Sequence, residues 1–193
     1  MSKLPIDYYL NPDVVFLARD LLGKVLMTNI DAKGLTGGII VETEAYEGET
    51  DRASHAYAGR LTRRTETLYL QGGVAYVYLC YGMHHLFNVV TNTSRIPHAV
   101  LIRAIKPVIG HELMSLRNGM DLGKLNRING PGKLTKALGI TQIHNKTLLC
   151  NHTIWIEDPE VQQSEKLVIE GPRVGIDYAG EHALWPYRFT LCE

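Results

Sequence analysis

Apolar positions recur along this chain at two spacings. In DVVFLARDLLG, Val14, Leu17, Ala18, Leu21 and Leu22 fall on one stripe at helical spacing. That stripe predicts an amphipathic helix with Asn11 as N-cap, Pro12 at the first helical position and Gly23 as its stop. Elsewhere the period shortens to two. KVLMTNI and LTGGIIVETEAY read as strands joined by the polar turn DAKG, and GGVAYVYLCYGMHHLFNVV (72–90) as two strands around a tip near YGMHH. AVLIRAI (99–105) predicts a further strand ended by Pro107, and TIWIED, KLVIEG and PYRFTLC predict three short ones. GHELMSLRNG and PGKLTKALGI, bounded by glycine, predict short helices. Residues 47–73 lack periodicity and are rich in charged, Gly and Thr residues, the mark of a long functional loop. No repeat, low-complexity tract or linker interrupts the pattern. The expected fold is α+β: one compact domain (1–193) with a curved, largely antiparallel sheet, flanking helices and a protruding β-hairpin.

Composition narrows the class only slightly. The 193 residues suffice for a domain with a real core, and a 45% hydrophobic content is ordinary for a globular chain. No run of eighteen apolar residues occurs, so no membrane span is expected. MSKLPIDYYLNPD lacks an apolar signal core, which makes the cytoplasm the expected location. Cys80, Cys150 and Cys192 lie far apart without a CxxC pair, as suits free structural thiols in a reducing compartment.

The formal net charge is +0, a mild argument against a nucleic-acid partner. The distribution is less even. Glu42, Glu44, Glu47, Glu49 and Asp51 crowd residues 42–51 without a base, whereas 103–136 carries seven Lys or Arg against Glu112 and Asp121. A solvated mixed surface accounts for both runs, so charge leaves the partner open.

Candidate chemistry concentrates in two places. Strand alternation puts Ile40, Glu42, Glu44 and Tyr46 on one face of LTGGIIVETEAY, with successive same-face positions roughly 7 Å apart. Two such carboxylates are either exposed along a strand edge or employed, because an unpaired buried carboxylate is costly. On the hairpin, Tyr76 and Tyr78 share a face, with core packing the simple account of Tyr76. Tyr81 and Met83 stand at the tip, where apolar side chains need a reason. An exposed aromatic on a hairpin is what minor-groove proteins use to prise bases apart.

Several familiar sites are absent from the sequence. GPGKL (130–134) lacks the glycine spacing and hydroxyl of a P-loop, although Lys133 at a Gly-rich helix start can still hold a DNA phosphate. Without HExxH, CxxC or GxSxG, no metal or cofactor is expected, and His84 and His85 read as polar hairpin-tip residues.

IVETEAY, His55 nine residues beyond Tyr46, YVYLCYGMHHLFNVV, VLIRAIKP, RVGIDYAGE (173–181) and PYRF (186–189) occur in a telling order and spacing. From about residue 5 to its end the chain closely resembles the alkyladenine (3-methyladenine) DNA glycosylase family. The resemblance implies an enzyme that flips alkylated or deaminated purines out of duplex DNA and hydrolyses the N-glycosidic bond. It implies Glu44 as the base, Tyr46, His55 and Tyr78 as pocket walls, and Asn88 close to the purine, placed to oppose the 2-amino group of guanine. Tyr81 would enter the duplex, with Met83 beside it in the minor groove, and Arg103 would contact the DNA backbone. Glu42 would have a supporting role. Electron-rich pocket walls would favour a cationic methylated purine by about 0.5–2 kcal/mol. With no lysine in the pocket motifs, a monofunctional enzyme is expected, one that leaves an abasic site without cutting the strand. His84 departs from the tyrosine of mammalian members. The expected partner is double-stranded DNA holding damaged purines, bound by a monomer. Two rival readings are a glycoside hydrolase using Glu42 and Glu44 as an acid–base pair, and a non-catalytic binder of damaged DNA.

Overall fold

The computed structural model describes residues 2–159 and 167–192. In chain order it contains β1 (Ser2–Lys3), α1 (Val14–Asp20), β2 (Val25–Asn29), β3 (Leu35–Tyr46), β4 (Ala75–Cys80), β5 (His84–Thr91) and β6 (His98–Ile109). There follow α2 (His111–Asn118), β7 (Ile128–Asn129), α3 (Pro131–Leu138), β8 (Ile154–Asp158), β9 (Val168–Gly171) and β10 (Arg188–Leu191). Every strand pairing among the described residues is antiparallel, and the main path through the sheet runs β1-β8-β2-β3-β6-β5-β4. Lys166 of the expected strand KLVIEG lies outside the described residues. The rest of that strand forms β9 from Val168 onward.

β3 is the strand on which the sheet turns. β6 runs along one of its edges, while on the other edge β2 pairs with residues 35–39 and β10 with residues 42–44. The register against β6 slips between Ile40 and Glu42 and again between Glu42 and Thr43, where β3 changes partner from β2 to β10. This irregularity corrects the expected alternation. Ile40 packs in the main core with Ala45, and the Thr43 hydroxyl donates to the Ala18 carbonyl of α1 at 2.6 Å. Glu42, Glu44 and Tyr46 face the other way, so Ile40 does not share their face. A bulge of this kind re-aims side chains without ending the strand.

Two further boundaries differ from expectation. The α1 cap is Asp13, whose carboxylate accepts from Phe16 N at 2.8 Å, and Asn11 instead accepts from Asp13 N at 2.9 Å. Pro12 therefore precedes the helix. β6 runs through Pro107 to Ile109, because Pro107 falls at the register shift opposite Gly37 and Gly38, where the ladder tolerates a missing N–H. Gly38 is needed there for space: a Cβ on it would lie 2.9 Å from the Lys106 carbonyl oxygen.

α1 and α3 cover one side of the sheet. Leu17 of α1 and its C-cap Leu21, with Leu134 and Leu138 from α3, close over Ile40, Phe87, Ile102, Ile105 and Phe189, all essentially without solvent contact. No described helix is long and apolar enough to cross a membrane. The three cysteines are free thiols. The loop at 47–73 is a chain of single 3-10 turns, at Gly48–Thr50, Tyr57–Gly59 and Glu66–Tyr69, laid against the opposite side of the sheet.

The β4–β5 hairpin closes through Met83 N donating to the Cys80 carbonyl at 3.1 Å, with both residues between them, Tyr81 and Gly82, at positive φ (49° and 70°). Gly82 takes that conformation without cost. For Tyr81 it is a strained backbone, of the kind that collects at functional sites. The tip carries Tyr81 and Met83 into solvent, 88% and 72% exposed.

Candidate active site

Between the hairpin, the 53–68 loop, the start of α3 and residues 174–178 lies a cavity of about 680 Å³. Its walls include Tyr46, His55, Tyr78, Tyr81, Asn88, Arg103 and Lys133, so the structure brings together most of the residues singled out in the sequence. Met83 stands outside it, on the far side of the tip beside His85 and Thr135.

Glu44 lies just beneath this cavity, fully buried near the C-terminal end of β3. Its Oε2 accepts from the Tyr46 hydroxyl at 2.8 Å, and its Oε1 accepts from Val174 N at 2.8 Å with Arg103 Nη1 3.3 Å away. Tyr46, Val174 and Arg103 all reach the cavity surface, so the carboxylate is separated from it by the very groups that hold it. A carboxylate offers about four acceptor positions. Two are filled by hydrogen bonds, one on each oxygen, and the Arg103 ion pair lies on the Oε1 side, so Oε2 keeps an acceptor position. Burial pushes the Glu44 carboxyl above its ordinary value, against the opposing pull of Arg103, Val174 N–H, Tyr46 and Arg173. The same burial, together with Glu44, pushes the Tyr46 hydroxyl well up, so it remains a donor.

Glu42 is held differently. Its Oε1 accepts from Arg103 Nε at 2.9 Å and from Arg188 Nε at 2.8 Å. Arg103 therefore bridges two carboxylates from one strand, with only 12% of its side chain exposed. An expected contact of Arg103 with DNA backbone has to compete with both ion pairs.

The other wall is aromatic. His55 Nδ1 lies 3.0 Å from the Tyr76 hydroxyl, and the His55 and Tyr78 rings meet edge-on with centroids 4.7 Å apart. Burial, aided by Arg64 and Arg60, lowers the imidazole to about 4, so His55 is neutral at physiological pH. Tyr76 thus joins the wall rather than only the core. Asn88 is buried, and its Nδ2 donates to the Tyr76 carbonyl at 3.1 Å, which fixes the amide at the cavity floor. Lys133 is exposed in the first turn of α3, opposite the hairpin.

Four contributors were given no role from sequence, although three of them lie in the RVGIDYAGE segment. Arg64 places its guanidinium 4.8 Å from the centre of the Tyr78 ring, over the face expected to receive a cationic purine. Tyr178, 70% exposed, lines the mouth and is tethered by its hydroxyl to the Ala53 carbonyl at 3.2 Å. Val174 N–H holds Glu44. Arg173 is completely buried and locks the acidic loop to the site: it forms a bidentate pair with the equally buried Asp51, donates to the Ala45 carbonyl at 2.8 Å, and packs over the Tyr46 ring at 4.8 Å. Three of the five acids at 42–51, Glu42, Glu44 and Asp51, are thus met by bases from elsewhere in the chain. No group of three or more His, Cys, Asp or Glu suited to a metal ion occurs among the described residues.

Residues 8–193 match the family model described as Methylpurine-DNA glycosylase (MPG). A Chlamydia felis protein bearing the provisional name 3-methyladenine DNA glycosylase is 47% identical over 189 residues, covering 97% of this chain and 95% of its own. Relatives with the same provisional name occur in Myxococcus xanthus and Clostridium perfringens. The first is 46% identical over 191 residues (99% of this chain, 91% of the relative), the second 44% over 197 residues (98% and 95%).

The Asp51–Arg173 pair yields a stability prediction. Arg173→Met leaves a buried carboxylate without its partner and should cost about 3–5 kcal/mol in denaturant unfolding. Adding Asp51→Asn to that variant should restore part of the loss. Additive losses in the double variant would contradict the pairing.

Proposed function

The chain belongs to the methylpurine-DNA glycosylase family, and on that premise we propose that it hydrolyses the N-glycosidic bond of damaged purines flipped from duplex DNA. The observation that carries this reading is Glu44: a buried carboxylate, firmly oriented, with one acceptor position left on Oε2 and a roomy aromatic cavity directly above it. A base stacked in a duplex cannot be attacked at C1′, so the nucleotide swings out at a cost of a few kcal/mol. Tyr81 on its strained tip fills the gap left in the stack, with Met83 beside it in the minor groove. The purine enters between Tyr46, His55 and Tyr78, and Asn88 lies against its edge.

As the C1′–N9 bond loosens, positive charge grows on the sugar. Glu44 takes a proton from the attacking water, and its negative charge stabilises the developing oxocarbenium. Arg103 and Val174 N–H keep that carboxylate ionised and aimed despite burial. Glu42 has no chemical duty in this scheme. It positions Arg103 and ties β10 to the site through Arg188. Since Glu42 and Glu44 share one arginine on one strand, they do not flank a sugar as an acid–base pair would. No cofactor enters the reaction. Lys133, at the first turn of α3, and the surface around it hold backbone phosphates, so binding weakens with salt.

The test is base release from a duplex holding one hypoxanthine, 1,N6-ethenoadenine or 3-methyladenine, followed as abasic sites under single-turnover conditions. The wild-type protein should release base. Glu44→Gln should lose at least about a hundredfold in rate while still binding the lesion duplex. Binding without release by the wild type would leave a damaged-DNA binder, and undiminished release by Glu44→Gln would remove Glu44 from the mechanism. Tyr81→Ala should slow release from well-paired lesions far more than from mismatched ones. An equal effect on both would contradict the wedge.

A further inference from the structure

Within that proposed reaction, we propose that Arg64 is a catalytic electrophile for neutral purines: its guanidinium contacts the departing base and carries the negative charge left on it. The two classes of damaged purine pose different problems. A purine alkylated at N3 or N7 is already cationic and departs as a neutral molecule. A neutral purine, such as a deaminated or etheno base, departs as an anion and needs a positive partner.

The cavity holds few candidates for that partner. Arg103 is committed to Glu42 and Glu44 beneath the Tyr46 side. Arg173 is sealed against Asp51 and does not line the cavity. His55 stands among the ring walls but is neutral, with its Nδ1 engaged by the Tyr76 hydroxyl. His84 and Lys133 lie on the far side, at the hairpin and the start of α3. Arg64 lines the cavity on the aromatic side, over the Tyr78 face at 4.8 Å, and makes no ion pair with a carboxylate among the described residues. Lying over Tyr78, it brings a planar donor into the same compartment as the rings expected to hold the base.

Arg64 is exposed in the free protein. Once duplex DNA covers the cavity mouth, water is excluded and the guanidinium acts through a lower dielectric, where its charge counts for more. The step balances without further reagents. The C1′–N9 electron pair goes to the purine, the water oxygen bonds to C1′, and its proton goes to Glu44 and on to solvent. The purine anion, paired with Arg64, then takes a proton from solvent as it leaves. Arg64 transfers no proton. A fixed positive charge in the same place repels a cationic purine, so Arg64 offsets the preference that the tyrosine faces alone would impose.

The experiment compares Arg64→Met and Arg64→Lys with wild type in single-turnover release of hypoxanthine and of 7-methylguanine from otherwise identical duplexes. Arg64→Met should slow hypoxanthine release about tenfold or more and leave 7-methylguanine release unchanged or faster. Arg64→Lys should restore part of the hypoxanthine rate. Release of 7-methylguanine reports correct folding within the same samples. Equal losses on both bases would reduce Arg64 to a structural role, and an unchanged hypoxanthine rate would remove it from the reaction. A wild-type protein that releases neither base would instead refute the glycosylase reading on which this inference rests.

Discussion

A carboxylate taken out of water must be neutralised by its neighbours, because leaving it charged and unpaired costs several kcal/mol. The protein buries three, Glu42, Glu44 and Asp51, within ten residues. No base lies within residues 42–51 to meet them, and the adjacent Arg52 is not the partner of Asp51. Arg103 arrives from β6, Arg188 from β10, and Arg173 from the segment before residue 174, each across 61 to 146 residues of chain. The sheet order that places β6 and β10 on either side of the second half of β3 is what lets these guanidiniums reach their partners. In the proposed reaction, the same compensation keeps Glu44 ionised, oriented and shielded beneath the cavity.

The rest of the site follows from that arrangement. The bulge at residues 40–43 turns Glu42, Glu44 and Tyr46 away from α1 while Thr43 stays bound to it, so a single strand serves both the core and the chemistry. Asp51, fixed by Arg173, draws the 47–53 segment over Tyr46 and starts the loop that delivers His55 and Arg64 to the opposite wall. The hairpin adds Tyr78 to that wall and carries Tyr81 beyond it. The pocket is therefore assembled from segments that are each anchored elsewhere, which suits a site that must hold its shape while a nucleotide enters.

Much of this was legible in the sequence, because periodicity reports which face a residue takes. The extent of β3, the YGM hairpin, and the glycine-bounded helices α2 and α3 all followed from local pattern. The misses share a physical cause. Asp13 displaced Asn11 as cap because the chain turns two residues later than the Asn-Pro pair suggested. Pro107 failed to end β6 because a bulge in β6 itself, opposite Gly37 and Gly38, relieved the missing donor. Ile40 sits on the opposite face from Glu42 because β3 slips register where it changes neighbours. Arg64 gave no local signal, and Arg173, although inside the RVGIDYAGE segment, gave no sign of its partner, because Asp51 lies 122 residues away and is adjacent only in the fold.

The central claim is that Glu44 acts as an ionised base from a buried position that raises its pKa. The most direct test is the pH dependence of the single-turnover rate on a cationic lesion such as 7-methylguanine, whose departure needs no help from a cation in the pocket. A base is active only when deprotonated, so a raised pKa moves the loss of activity to higher pH. The rate should be flat at neutral and mildly alkaline pH. It should then fall tenfold per unit below an apparent pKa lying above the ordinary glutamate value of about 4.3, and Glu44→Gln should abolish that limb. A rate that stays level through pH 4, or an acid limb that persists unchanged in Glu44→Gln, would contradict the account.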